Sequence, residues 1–199
     1  MVLFEELLRR NEQYANGEGI VQLSDLKKAR EETVNAQHPE ITMITCSDSR
    51  VSPELIFLAK PGEIFTIRTA GNVVVGDDVM ATVEYAIKHL HTKEIVVLGH
   101  SNCGAVTAAV KNVKEEGYLN ELMEKIKPAV QDARRILERK NESYTDDMLL
   151  ELSIKKNVMN VIGDLISRMP ILDELINKNE IKIIPAYYDL STGKVTIIE

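Results

Sequence analysis

The sequence predicts an α/β fold: a mostly parallel central sheet flanked by helices, with a carboxyl-terminal strand pair. Three observations carry this. Short β-branched runs at 41–45, 64–68 and 95–98 alternate with helical patterns, the rhythm of strand, crossover and parallel strand. Ile95-Val96-Val97-Leu98 is apolar at every position, as in a parallel strand covered on both faces. The tail sets residues 181–190 and 195–198 on either side of Ser191-Thr192-Gly193-Lys194, a turn-forming sequence joining two final strands.

The elements follow in order. Phe4, Leu7 and Leu8 recur at helical spacing, and Asn16-Gly17 can end the helix they imply. Ser24 is placed to cap a second helix over 25–37, which Pro39 stops. Residues 41–45 form the first strand. Ser52-Pro53-Glu54 supplies a cap, a first-turn proline and a favourable acid, opening a short helix. Lys60-Pro61-Gly62 turns the chain into the strand at 64–68. Ala70-Gly71-Asn72 is a tight connection, and Asp77 or Asp78 starts a helix running to about Leu90. After the third strand, the small residues between Gly99 and Val106 let a following helix pack closely. Helices fill most of 119–140 and 146–168, the latter with Met148, Leu152, Met159, Ile162 and Ile166 on one apolar face. No repeat, low-complexity tract or linker interrupts the chain, so residues 1–199 read as one domain.

Composition narrows the function classes. With 199 residues, 44% of them hydrophobic, the chain can bury a substantial core. A net charge of −7 disfavours nucleic acid and anionic membranes as partners. No apolar run approaches the roughly 18 residues needed to span a bilayer. Met1-Val2-Leu3-Phe4-Glu5-Glu6 carries acids where a signal peptide would carry bases, which points to the cytoplasm. The two cysteines, Cys46 and Cys103, both fall in polar motifs. In a reducing compartment such a pair suits metal binding or catalysis better than a disulfide.

Those motifs sit at strand ends. The first strand runs into Cys46-Ser47-Asp48-Ser49-Arg50, and the third into Gly99-His100-Ser101-Asn102-Cys103-Gly104. Ligands of open α/β sheets bind outside the strand carboxyl ends. If the two strands are neighbours, Cys46, His100 and Cys103 converge there. Two thiolates and an imidazole suit tetrahedral zinc, and three protein ligands leave a fourth position for chemistry. Cys103 also falls near a helix amino terminus, which favours its thiolate.

These paired motifs resemble the signature of the beta-class carbonic anhydrases, and the similarity covers most of the chain. The resemblance implies Zn²⁺ bound by Cys46, His100 and Cys103, with Asp48 and Arg50 as the associated catalytic dyad. It implies reversible hydration of carbon dioxide to bicarbonate and a proton by zinc-bound hydroxide. Gln37, Phe65, Ala70, Tyr85 and Gly104 match the substrate pocket. That pocket is built between two subunits, implying a homodimer, or dimers paired into tetramers, with the helices of about 1–37 packing on the partner.

Two thiolates cancel the formal charge of Zn²⁺, so this zinc should be a weaker Lewis acid than a three-histidine one. Asp48, held by Arg50, can accept the hydroxide proton in a hydrogen bond. In some family members the aspartate swings onto zinc, which would make Asp48 a further ligand in a closed state. That closure is favoured by a bicarbonate triad with a tryptophan where this chain has Met43, although Arg68 matches the triad's arginine. Asp48 is therefore expected to stay on Arg50 near and above neutral pH. Arg68 can also be read as a structural ion-pair partner. His38, His89 and His91 read as surface or structural, and no histidine is an evident proton shuttle.

Three rival functions stand beside this one. Related enzymes of the fold hydrolyse carbonyl sulfide or carbon disulfide on the same type of site. A non-enzymatic zinc-stabilised interaction protein would require a closed metal site. Nucleotide binding lacks support, since neither 71–76 nor 99–104 forms G-x-G-x-x-G or a Walker loop.

Overall fold

The computed structural model describes residues 3–19, 21–139 and 143–199. Positions 1, 2, 20 and 140–142 lie outside them, and with them the start of the acidic amino terminus and the last position of the helix expected over 119–140. Five strands, β1 (Ile41–Cys46), β2 (Ile64–Thr69), β3 (Glu94–His100), β4 (Lys182–Tyr188) and β5 (Val195–Ile197), form one sheet in the order β2-β1-β3-β4-β5. All pairings are parallel except β4 with β5, which is antiparallel. The mostly parallel sheet and its terminal pair are as the sequence predicts.

Among the described residues eight α-helices accompany it: α1 (Phe4–Ala15), α2 (Leu23–Glu32), α3 (Pro53–Ile56), α4 (Asp77–Tyr85), α5 (Gly104–Val110), α6 (Tyr118–Arg139), α7 (Asp146–Arg168) and α8 (Pro170–Asn177). β1 and β3 are buried at every position, which explains their unbroken apolar runs. One sheet face packs Ile44, Ile95 and Val97 with Val158, Val161 and Leu165 of α7. The other packs Ile41, Met43, Val96 and Leu98 with Phe4 and Leu7 of α1. Alternating side chains of β1 and β3 thus feed two separate cores.

Several elements differ from expectation. α2 runs only over Leu23–Glu32, starting before Ser24, whose hydroxyl makes no capping bond. It ends at Thr33, whose backbone N–H and hydroxyl both bond back to the Ala29 carbonyl, at 3.1 and 2.8 Å. The buried face of α7 is Leu149, Ile154, Val158, Val161 and Leu165, whereas Met148 and Met159 are exposed. Helix α8 is an addition to the sequence reading. The close packing at Gly99 also serves a different helix: a Cβ there would lie 2.8 Å from Val158 Cγ2 of α7, while one at Gly104 in α5 would meet open space. Among the described residues no helix is long and apolar enough to cross a membrane.

Candidate metal centre

β1 and β3 are neighbours in register, Thr45 opposite Leu98, so their carboxyl ends stand side by side. Cys46 is the last residue of β1 and His100 the last of β3. Asn102, at φ 54°, bends the chain back so that Cys103 caps α5. The result is a cluster in which the Cys46 and Cys103 sulfurs and a His100 ring nitrogen all lie within 4.8 Å of one another. All three side chains are buried.

The donor set fits a metal ion. His100 Nδ1 lies 2.9 Å from the Ser101 carbonyl, which fixes the proton on that nitrogen. The buried Nε2 then has no hydrogen-bond partner among the described residues, a lone pair aimed at the two sulfurs. The thiols titrate as one unit. Cys46 is drawn down to about 4, first by the hydrogen bond from the Cys103 thiol and further by the backbone N–H groups of Asp48 and Gly71, against burial. Cys103 moves the other way, held protonated by its bond to the Cys46 thiolate and by burial, with the Ala105 and Val106 amides of α5 opposing. Two buried sulfurs beside an imidazole nitrogen mark a place where a dication would be favourable.

Asp48 and Arg50 stand over this cluster. The guanidinium reaches the Asp48 carboxylate at two points, and the Arg50 backbone N–H adds a third bond at 3.0 Å. The Arg50 guanidinium thereby holds the Asp48 carboxyl well below the usual carboxylate range, against some burial. Asp48 Oδ2 is 3.8 Å from His100 Nε2, so the anion sits beside that unpartnered nitrogen. The guanidinium of Arg68 donates to the carbonyls of Cys46 (3.2 Å) and Asp48 (2.8 Å). Among the described residues it pairs with no carboxylate, so its role here is to clasp the turn rather than to form an ion pair.

The expected pocket residues divide. Ala70 and Gly104 are exposed beside Gly71 and Cys103, at the rim of the cluster. Phe65 and Tyr85 stack with ring centroids 6.2 Å apart. Phe65 pairs with Thr42, four residues below Cys46 on β1, a separation of about 13 Å along the strand. Gln37 is exposed in the coil after α2. One chain therefore does not gather these three at its own metal centre. His38, His89 and His91 are exposed, His89 lying against the Tyr85 ring at 5.1 Å. A cleft of about 810 Å³ between α6 and α7 shares no lining residue with the cluster.

Two contributors escape the sequence reading. The Gly71 N–H points at Cys46 Sγ, 3.3 Å away, and Asn157 of α7 donates to the Gly71 carbonyl at 2.8 Å. An asparagine within an apolar helical stripe is the one signal that hinted at the second.

Fold and site together define an α/β protein with a buried cysteine–histidine–cysteine cluster that fits a metal ion, beside a carboxylate–guanidinium dyad. A carbonic anhydrase family model matches residues 41–195. A carbonic anhydrase of Synechococcus elongatus is 34% identical over 177 residues, covering 83% of this chain and 62% of that protein. Carbonic anhydrase 2 of Mycobacterium tuberculosis is 32% identical over 165 residues, covering 81% and 75%. Among solved structures, a beta-carbonic anhydrase of Aspergillus fumigatus superposes with a TM-score of 0.78 at 25% identity, over 98% of this chain and 90% of that one. A Coccomyxa beta-carbonic anhydrase gives 0.74 at 27% identity, over 100% and 87%. This chain belongs to the beta-carbonic anhydrase family. It spans only 62% and 61% of the Synechococcus and Synechocystis relatives, which are longer proteins.

Proposed function

We propose that this chain catalyses the reversible hydration of carbon dioxide to bicarbonate and a proton, with zinc held by Cys46, His100 and Cys103. The observation that carries the reading is the meeting of that buried ligand cluster with a fully anionic Asp48 at two adjacent strand ends. Zinc bound there would supply the Lewis acidity that makes water acidic enough to react near neutral pH.

The chain's own residues do the rest. Asp48 is an acceptor only, because Arg50 keeps it ionised. It can therefore take a hydrogen bond from the reacting oxygen and turn that oxygen's lone pair toward carbon. Arg50 fixes the carboxylate, and Arg68 fixes the backbone that carries it. The amide of Gln37 can donate to an oxygen of carbon dioxide or bicarbonate, and Phe65, Tyr85, Ala70 and Gly104 supply uncharged walls.

Because Gln37, Phe65 and Tyr85 lie away from the cluster within one chain, the complete pocket requires a second copy. A homodimer, or a tetramer of two dimers, supplies them. The segment that carries Gln37 is suited to reach a partner, since Leu23 and Val34 on it are 82% and 72% exposed. Two unpaired cysteines at the site agree with a reducing compartment such as the cytoplasm.

Zinc content measured alongside stopped-flow hydration of carbon dioxide tests the reading, with sedimentation velocity reporting the assembly. About one zinc per chain with fast hydration supports it. Zinc without hydration, but with sulfide released from carbonyl sulfide, would replace it by the alternative hydrolase.

A further inference from the structure

The structure assigns Asn157 of α7 a positioning role at the metal centre: it holds the Gly71 turn so that the Gly71 N–H donates to the Cys46 sulfur. This rests on the reading of Cys46 as a metal ligand. Asn157 Nδ2 lies 2.8 Å from the Gly71 carbonyl, and Gly71 N lies 3.3 Å from Cys46 Sγ. Both bonds are made by Gly71 itself, so fixing its carbonyl restricts how far its N–H can turn away. All three residues are buried, Asn157 to 1% exposure.

The turn is also gripped from the other side. Gly71 has φ 67° and ψ 20°, a left-handed conformation that glycine adopts without a steric penalty. A Cβ at this position would come within 3.0 Å of Ile126 Cδ1 and 3.2 Å of Ala105 Cβ, so α6 and α5 press on it directly. The Thr69 hydroxyl closes the same turn on the Val73 carbonyl at 2.7 Å. Asn157 stands among Ile154, Val158 and Val161 on the buried side of α7, where a polar amide is costly unless it has work to do. Its Oδ1 finds no donor among the described residues, so its Nδ2 bond to the turn is the pairing it has.

The chemical consequence follows from the ligand set. Two thiolates donate more charge to a dication than neutral imidazoles do, and this blunts its Lewis acidity. An N–H bond to one sulfur withdraws part of that charge and holds the thiolate in place. Partners of this kind behind a metal ligand typically change metal affinity or activity 10- to 100-fold.

The test uses full-length, isotope-labelled protein loaded with the magnetically active isotope of cadmium. A scalar coupling between cadmium and the Gly71 amide proton is expected in the unsubstituted protein. Asn157→Asp and Asn157→Leu should weaken it and raise the zinc Kd, measured by chelator competition, about 10- to 100-fold. The thiolate charge-transfer band of the cobalt-loaded variants should also shift. Leu165→Ala, a cavity in the same helix two turns beyond Asn157, should lower the melting temperature yet leave the zinc Kd within about threefold, which separates positioning from general loosening. Metal bound at the cluster with no coupling at Gly71 would overturn the proposal, whether or not the Asn157 variants fold. So would a folded Asn157 variant with the parent's zinc Kd and cobalt spectrum. Failure of the unsubstituted protein to bind cadmium, zinc or cobalt would instead remove the metal-centre reading itself.

Discussion

Arg50 closes a two-point fork on Asp48, with Nε 2.9 Å from Oδ1 and Nη2 2.7 Å from Oδ2. The same Nη2 reaches the Asn102 carbonyl at 3.2 Å, so one guanidinium ties the β1 motif to the β3 motif. Asp48→Asn keeps the side chain's shape but turns an NH₂ toward the guanidinium, breaking one arm of the fork. The variant should fold and hold about one zinc per chain, while hydration falls at least about tenfold. Unchanged turnover across the pH range would take Asp48 out of the mechanism.

Cys46→Ser and Cys103→Ser should each lose most of the zinc, because a hydroxyl is a poor substitute for a thiolate at this metal. Metal analysis of the purified variants checks it. Parental zinc and activity in either variant would count decisively against the site.

The ligand strands were legible because each β-branched run ends abruptly in polar residues, and burial on both faces leaves β1 and β3 little freedom of composition. The orientation of α7 was not. That helix carries apolar residues on more than one side, so periodicity admits two faces, and Ser153 and Asn157 interrupt the apolar pattern of the one actually buried. Helix α8 begins at an uncapped Met169, leaving Pro170 as a lone signal. The clasp of Arg68 and the Asn157 bond to Gly71 span 20 to 86 positions of sequence, and only the folded sheet brings their partners together.

Arg68 should matter through the two carbonyls it holds. Arg68→Met removes both bonds, whereas Arg68→Lys can restore one. At about 1 kcal/mol per bond, hydration should fall roughly fivefold for each bond lost, with zinc content unchanged. Equal rates in the parent and in Arg68→Met would show that the Cys46–Asp48 turn holds itself.

Asn11 performs the corresponding service for the fold. Its Nδ2 donates to the carbonyls of Ile56 (3.2 Å) and Gly193 (2.8 Å), and its Oδ1 accepts from Val195 N at 2.7 Å. One buried amide thus joins α1 to α3 and β5. Asn11→Ala leaves those backbone groups without their partner and should cost about 3 kcal/mol in urea unfolding. A loss under about 0.5 kcal/mol would mean that the packing of Phe4 and Leu7 alone anchors α1.

The thiol pair predicts how stability depends on pH and how zinc alters that dependence. In the metal-free protein Cys46 titrates near 4, drawn down by the Cys103 thiol, while Cys103 is pushed up by its bond to the Cys46 thiolate and by burial. After unfolding, both become ordinary thiols titrating near pH 8.5. Between about pH 4 and 8.5 the unfolded pair therefore binds two protons and the folded pair one, so stability rises with pH. Above about 8.5 the unfolded pair binds none while the folded pair keeps one, and stability falls. The contribution of Cys46 is thus complete above the unfolded value and lost on acidification, and that of Cys103 is complete below it and lost in alkali. The melting temperature of metal-free protein, taken relative to the Cys46→Ser/Cys103→Ser double variant, should peak at about pH 8 to 9. In zinc-loaded protein both sulfurs are deprotonated in the fold, and the alkaline decline should disappear. A metal-free profile running parallel to the double variant across this range would show that the two sulfurs do not share a proton.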